Sequence, residues 1–441
     1  MKAKRFLTVD GDFFCHRTIH GMRMINKDIT LESSDEMNNY NKSLINSVHS
    51  LFNTFVNEHH QLIDQIIFVF DNKSWRKSVP PHKPYYIEDD TPIGYKDNRK
   101  KLKEDSDINY DNFNLCKSEF INELTESKVF PVFCIEGAEG DDLLMMLKTR
   151  LLMENSDNKM LVFCTDGDLK QLLYNKDSEY NTDSVMLFRN IKSGAAPEGE
   201  WVISKEQYNK IYGTLDANGK EDVMDMFLRA SENSSNQFDE NYYKNFVFNI
   251  NFKDSSGKAT FQRNPGAGIS VATPTLTLLT KMVIGDKKDN IFPIMRWKTK
   301  TGTAVRNVTE NHLIKVFDEL DLKFNDESAQ KIYTDKTMLT KMLYSLRDEV
   351  KQTDIDIQTI GSHFVHNRKL LDIRTINYFP ENICSIFNIK FDEYNSINLF
   401  DTILDKQKMT GIKMNFVDST NILSNSLPDL PAELQGFSDL L

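Results

Sequence analysis

Two short apolar runs each end in a knot of carboxylates, both inside residues 133–173, FCIEGAEGDDLLMMLKTRLLMENSDNKMLVFCTDGDLKQLL. The run at 132–135 leads into Glu136, Glu139, Asp141 and Asp142; the run at 160–164 leads into Asp166 and Asp168. Apolar residues at helical spacing follow each knot: Leu143, Leu144, Leu147 and Leu151, then Leu169, Leu172 and Leu173. Strand, acidic turn, helix, twice over, predicts an α/β fold whose central, mostly parallel sheet is flanked by helices. In such a sheet both turns lie at the carboxyl edge of the strands, where these folds hold their sites. Carboxylates crowded into a cleft repel one another unless cations compensate them. Hard divalent ions with oxygen ligands suit that task.

The same device recurs upstream. Residues 5–9, RFLTV, read as a buried strand ending in Asp10, Gly11 and Asp12, and 65–70, QIIFVF, deliver Asp71. Between them, 43–59 carry apolar residues at helical spacing, as do 114–124 further on; 185–188 read as another strand. A lone Asp at a strand end is ordinarily a cap or turn residue. Capping does not require successive strand ends to converge, so the recurrence favours a shared site.

Residues 72–112 change character. Lys73, Arg76, Lys77, Lys83, Lys96, Arg99, Lys100, Lys101 and Lys103 alternate with Trp75, Tyr85, Tyr86 and Tyr95, and Pro80, Pro81, Pro84 and Pro92 interrupt the early part. A solvated loop with snorkelling lysines would have this composition. So would a path for a single strand, where cations meet phosphates and rings stack on bases. Its place directly after an acidic strand end favours the second reading.

Residues 193–274 are rich in Gly, Asn, Ser, Asp and Lys and read as an insertion of unassigned role. Residues 275–284 then run into Asp286 and Asp289, three apart and so on one face of a helical turn. Arg296, Lys298, Lys300 and Arg306 follow, and 312–320, 337–350 and 382–403 read as helices. His363 and His366 have no further ligand nearby and read as surface or core histidines. The tail from 421 is rich in Ser, Asn and Pro and closes on apolar residues. That end either docks on a partner or packs as a last turn.

A net charge of −11 argues against coating nucleic acid by bulk charge, while leaving room for local basic patches. The five cysteines lack CxxC spacing and read as reduced thiols rather than disulfides or a zinc site. No apolar run reaches membrane-spanning length, and neither a signal peptide nor an anchor is expected.

In order, VDGD at Asp10, FDNKSWRK at Asp71, YKDNRKK at Lys96, IEGAEGDDLL at Glu139, CTDGDLKQLL at Asp166 and IGDKKDNI at Asp286 resemble the 5′-nuclease superfamily of flap endonucleases and phage 5′→3′ exonucleases. Within it, the likeness is to the RNase H branch of T-even phages, through GDKKDN, FDNKS and residues 368–387. The motif order is specific; VDGD or TDGD alone would be weak.

The resemblance implies a two-metal phosphodiesterase. It places Asp10, Asp71, Glu139, Asp141, Asp142, Asp166, Asp168, Asp286 and Asp289 around two magnesium ions, with manganese as a substitute. Which carboxylate holds which ion stays open. It makes Lys96 and Arg99 catalytic cations in a helical arch over 72–112, acting with Asp71 and Asp166. Lys73, Arg76, Tyr95, Lys100, Lys287, Lys288, Arg296 and Lys298 become substrate contacts. The implied substrate is a 5′ flap, or a DNA or RNA–DNA duplex near its 5′ end, as in removing RNA primers during phage replication in an infected bacterial cytoplasm. The expected organisation is a catalytic core at 1–192, the insertion at 193–274, a helical DNA-binding region at 275–410 and a tail at 411–441. A monomer is expected, with the tail contacting a sliding clamp or single-strand DNA-binding protein. IFPIMRWKTKTG stands where the family often has a glycine-rich hairpin, and neither the insertion nor the tail has a counterpart in the resemblance.

Three rivals remain. A haloacid-dehalogenase-like phosphatase would use Asp10 and Asp12 but gives Glu139–Asp142, Asp166 and the basic arch no task. A PIN-type ribonuclease shares the sheet but is shorter and lacks YKDNR. A non-catalytic binder of branched DNA would not need so complete a set of carboxylates, which is costly to fold without metal.

Overall fold

The computed structural model describes residues 4–52, 65–81, 94–127, 129–156, 158–164, 166–174, 185–193, 196–204, 268–302 and 304–374. The expected helix at 382–403, the tail, and parts of the arch and insertion lie outside these residues.

The N-terminal half runs β1 (Arg5–Asp10), α1 (Gly11–Ile25), α2 (Ser34–Phe52), β2 (Gln65–Val69), a 3-10 turn (Trp75–Ser78), α3 (Asn98–Glu104), α4 (Tyr110–Ser127), β3 (Val132–Phe133), α5 (Gly140–Glu154), β4 (Lys159–Cys164), a second 3-10 turn (Asp168–Leu173), β5 (Val185–Ser193), β6 (Ala196–Ile203) and β7 (Gly268–Val271). The strands form one sheet in the order β3-β2-β1-β4-β5-β6-β7. Every pairing is parallel except β5 with β6. The sheet is therefore mostly parallel, as predicted. The chain steps outward from β1 to β2 and β3, then returns to place β4 on the other side of β1. That reversal puts a crevice at the carboxyl ends of β1 and β4. Register carries Asp10 opposite Val69, so Asp10 and Asp71 emerge at the same edge.

Apolar runs buried on both faces explain the parallel strands. Phe6, Ile67, Val69 and Val162 pack against Leu143, Leu144, Leu147 and Leu151 of α5. On the opposite side, Phe14 packs edge-on against Phe68 and stacks with Phe120, and Phe70 meets Phe120 edge-on. Gly11 lies against the Phe70 ring so closely that a Cβ there would overlap it. The first step into α1 thus requires glycine.

Expectation and structure differ in places. The strand expected at 132–135 is only the two-residue β3 at the sheet's edge, and the apolar residues after Asp168 form a 3-10 turn rather than an α-helix. The described ends of the 193–274 segment, β6 and β7, continue the sheet.

The second half runs α6 (Pro274–Ile284), a hairpin of β8 (Arg296–Lys298) and β9 (Val305–Asn307), then α7 (Glu310–Glu319), α8 (Asp326–Thr334), α9 (Lys336–Glu349) and α10 (Ile357–Leu371). Its core joins Leu278, Leu279 and Met282 to Leu313, Phe317, Ile332, Leu346 and Phe364, with Tyr95 of the N-terminal half included.

Candidate active site

The nine predicted metal-site carboxylates divide into three groups by their partners. Asp10, Asp71 and Asp141 stand at the carboxyl edge, facing one another's charge. Asp10 ends β1 and caps α1, accepting from the Phe13 N–H at 3.0 Å. Asp71 accepts from the Gly140 N–H at 2.6 Å, which ties the end of β2 to the start of α5. No hydrogen bond from a described residue reaches the Asp141 side chain. Burial and the neighbouring Asp71 push the Asp10 carboxyl up to about 8. Burial, Asp12 and Glu139 push Asp71 to about 6, against the pull of Lys96. Burial, then Asp166, Asp10 and Asp71, raise Asp141 well above the carboxylate range.

The second group is neutralised by lysines. Lys281 of α6 donates to Asp168 and Asp286, each at 2.6 Å, and Lys288 donates to Asp166 at 2.6 Å. Burial would raise Asp166 and Asp286, but Lys288 and Lys281 outweigh it and hold both below the usual range. Asp168 rises to about 6, because burial and Asp166 exceed the effect of Lys281. The Asp286 loop closes on itself: Asp286 and Ile291 exchange two backbone hydrogen bonds of 2.8 Å. Gly285 opens this loop at φ 78° with its α-carbon against the Ile291 carbonyl, a place that admits no side chain.

The third group is a closed polar network. Arg76 forks onto Asp142 with contacts of 2.8 and 2.6 Å and reaches Glu139 at 3.3 Å. Glu139 also accepts from the Tyr95 hydroxyl at 2.9 Å and from Lys96 Nζ at 2.6 Å. Asp289 pairs with Arg99 and lies 3.5 Å from the Tyr95 hydroxyl. Burial would raise Glu139, but Lys96 and Arg76 hold it below the carboxylate range. Lys96 itself adopts a left-handed backbone, φ 58°, secured by its N–H on the Asp289 carbonyl at 2.9 Å.

Residues 5–195 match the family model for the N-terminal, resolvase-like domain of 5′–3′ exonucleases. Over this part of the chain the resemblance to the 5′-nuclease superfamily is borne out. No curated protein matches the chain. Solved structures similar to it include T5 5′-exonuclease with bound divalent zinc, at 13% identity and TM-score 0.42, covering 92% of this chain and 100% of that one. T5 D15 protein co-crystallised with metal ions follows at 14% and 0.42, covering 90% and 99%. A bacteriophage T5 D15 flap endonuclease complex with DNA and metal ions stands at 15% and 0.39, covering 93% and 100%.

Within the matched residues, three sequence expectations change. Arg76, expected on the substrate, is 1% exposed and bound to Glu139, Asp142 and the Leu370 carbonyl. Tyr95, expected to stack on a base, is buried with its hydroxyl on Glu139. Asp142, expected at the metal, is fully buried and held by Arg76 and by the Trp75 Nε1–H at 3.3 Å. A bidentate partner at bonding distance leaves Asp142 no free oxygen to turn toward an ion. Lys73, Lys100, Lys287 and Lys298 are exposed, as a contact with phosphate requires. Lys288 is exposed but engaged with Asp166. Arg296 lies over the Phe292 ring at 5.3 Å and bonds Asn307 at 3.0 Å.

Asp12, Lys117 and Lys281 were not among the predicted site residues. Asp12 accepts the Asp71 N–H at 2.6 Å and Lys117 Nζ at 2.8 Å, so it fixes the backbone that presents Asp71. Its place in VDGD was the available signal; nothing in the α4 sequence marked Lys117. Among the described residues, no three His, Cys, Asp or Glu side chains converge closely enough to hold an ion directly between them. Asp166, Asp10 and Asp71 nevertheless all raise the proton affinity of Asp141, so these carboxyls lie within reach of one another's charge. Hard oxygen donors of that kind fit a divalent ion that keeps part of its water shell.

Proposed function

We propose that this chain is a magnesium-dependent 5′→3′ exonuclease and flap endonuclease. It hydrolyses phosphodiester bonds near the 5′ end of DNA or RNA–DNA duplexes and removes RNA primers during phage replication in an infected bacterial cytoplasm. The observation that carries this is the meeting of strand-end carboxylates from β1, β2 and β4 with Asp141 at one sheet edge. Asp166, Asp10 and Asp71 all raise the proton affinity of Asp141, and of these acids Asp166 is held by an ion pair with Lys288.

Asp10, Asp71, Asp141, Asp166, Asp168, Asp286 and Asp289 would hold two ions, in part through the ions' own water shells. Bound there, the ions would activate water and offset charge on the leaving oxygen of an in-line displacement. Glu139 serves chiefly to hold Lys96. A phosphate entering the site offers Lys96 and Arg99 a stronger anion than Glu139 and Asp289, and the two cations then orient it and oppose its growing charge. With ions bound, Lys281 and Lys288 would yield Asp168, Asp286 and Asp166 to them. Exposed Lys73, Lys100, Lys287 and Lys298 meet the flanking backbone as phosphate contacts. The tail at 411–441 is assigned to a clamp or single-strand DNA-binding protein.

The test uses end-labelled 5′-flap and RNA–DNA substrates with and without magnesium, comparing the wild type with Asp71→Asn and Asp166→Asn. Loss of cutting in both variants and in chelator is expected. Undiminished cleavage by both variants would sink the assignment.

A further inference from the structure

One helix reaches all three acidic turns from behind. Asn367 of α10 is buried and donates through Nδ2 to the Met282 and Phe292 carbonyls, each at 2.8 Å. Those carbonyls lie on either side of the loop carrying Asp286 and Asp289, so one amide holds both its roots. His363, a turn earlier, bonds the Ile294 carbonyl at 3.1 Å. At the end of the same helix, the Leu370 carbonyl accepts from Arg76 Nε at 2.8 Å, and Arg76 grips Glu139 and Asp142. The Leu371 carbonyl accepts from Gln171 Nε2 at 2.9 Å, and the Ile373 N–H donates to Gln171 Oε1 at 3.2 Å. Gln171 belongs to the 3-10 turn that opens at Asp168.

We propose that Asn367 and Gln171 are positioning residues for the carboxylate site, and that α10, through them, sets the spacing between the Asp166–Asp168 turn and the Asp286–Asp289 loop. Neither touches substrate. The inference rests on the metal-dependent nuclease reading above.

The chemistry of Asn367 suits the task. Met282 is among the last residues of α6, whose carbonyls lack helical partners. A side-chain amide carries two hydrogens in one plane and can satisfy two carbonyls at once. An apolar side chain of similar size would leave both carbonyls buried and unpaired, and the loop free to drift. Groups that orient ligands in this way influence metal affinity and turnover without meeting the reactants.

The test compares Asn367→Leu, Asn367→Gln and Gln171→Met with the wild type, all as the full chain. Manganese binding is followed by calorimetry, flap cleavage by steady-state kinetics, and folding by thermal melts in chelator. Asn367→Leu is expected to raise the half-saturating manganese concentration and lower kcat by about 10- to 100-fold, with KM within about twofold. Asn367→Gln keeps the two-hydrogen amide and should restore part of both. Should Asn367→Leu fail to melt cooperatively, Gln171→Met carries the same expectation for the Asp166–Asp168 turn. Unchanged manganese binding and kcat in the folded variants would overturn the proposal, as would a loss that Gln does not relieve. A wild type that neither binds manganese nor cuts would overturn the nuclease reading as well.

Discussion

Lys96 Nζ lies 2.6 Å from Glu139 Oε1, and the same carboxylate accepts from Tyr95 and Arg76. The cation assigned to the scissile phosphate is therefore held at the site's edge by an acid that is itself held by a buried arginine. Removing it should cost turnover rather than affinity. Lys96→Ala is expected to lower kcat by about 100-fold, in the range for deleting one stabilising donor, with a smaller change in KM. Single-turnover cleavage of a flap substrate measures this, and an unaltered rate would dismiss Lys96 from the reaction.

Arg76 and Asp142 are both almost fully enclosed. Arg76→Met strands two carboxylates in the interior and should destabilise the fold by about 3–5 kcal/mol. Urea unfolding in chelator would show it. A loss under about 1 kcal/mol would mean that the pair is solvated in solution.

Proton linkage gives a signed expectation for stability. In the folded chain Asp10 titrates at about 8 and Asp71 at about 6, both above an unfolded aspartate. The native state then binds more protons than the unfolded one between about pH 4 and 8. Stability is full below the unfolded value and falls as pH climbs through the folded values. Melting temperatures in chelator should drop from pH 5 to pH 8, and Asp10→Asn should flatten that drop. A flat wild-type profile would refute the crowding, and added magnesium should remove most of the slope.

Lys281 competes with any ion for Asp168 and Asp286. Lys281→Met should therefore tighten divalent binding at that side by about tenfold, the equivalent of roughly 1.4 kcal/mol. Calorimetric titration with manganese decides the matter; weaker binding would show that the lysine organises the acids instead of occupying them.

Lys298 is exposed on β8, in a stretch from 293 to 308 that holds no acid. Lys298→Ala should weaken duplex binding similarly for unrelated sequences and lower the slope of log affinity against log salt by about 1. A change confined to one sequence would argue against a phosphate contact.

Much of the site was legible because strand ends are local events. Apolar runs predict β1, β2 and β4, and an Asp directly after each must emerge at the carboxyl edge once the strands pair in parallel. The helices around Asn114, His312 and Thr337 were likewise readable from periodicity. The 3-10 turn after Asp168 was not, since a few apolar residues at near-helical spacing fit either winding.

Sequence by itself determined the inventory of acids and the edge at which they gather. It could not sort them. Asp141 and Asp142 are neighbours in one helical turn, yet about 100° of helix rotation sends one toward Asp10 and the other into Arg76. Arg76 in turn is anchored by Leu370, and Asp168 is neutralised by Lys281. Whether a carboxylate is left bare or bound to a cation depends on partners brought from distant parts of the chain, and only tertiary packing decides which of them arrive.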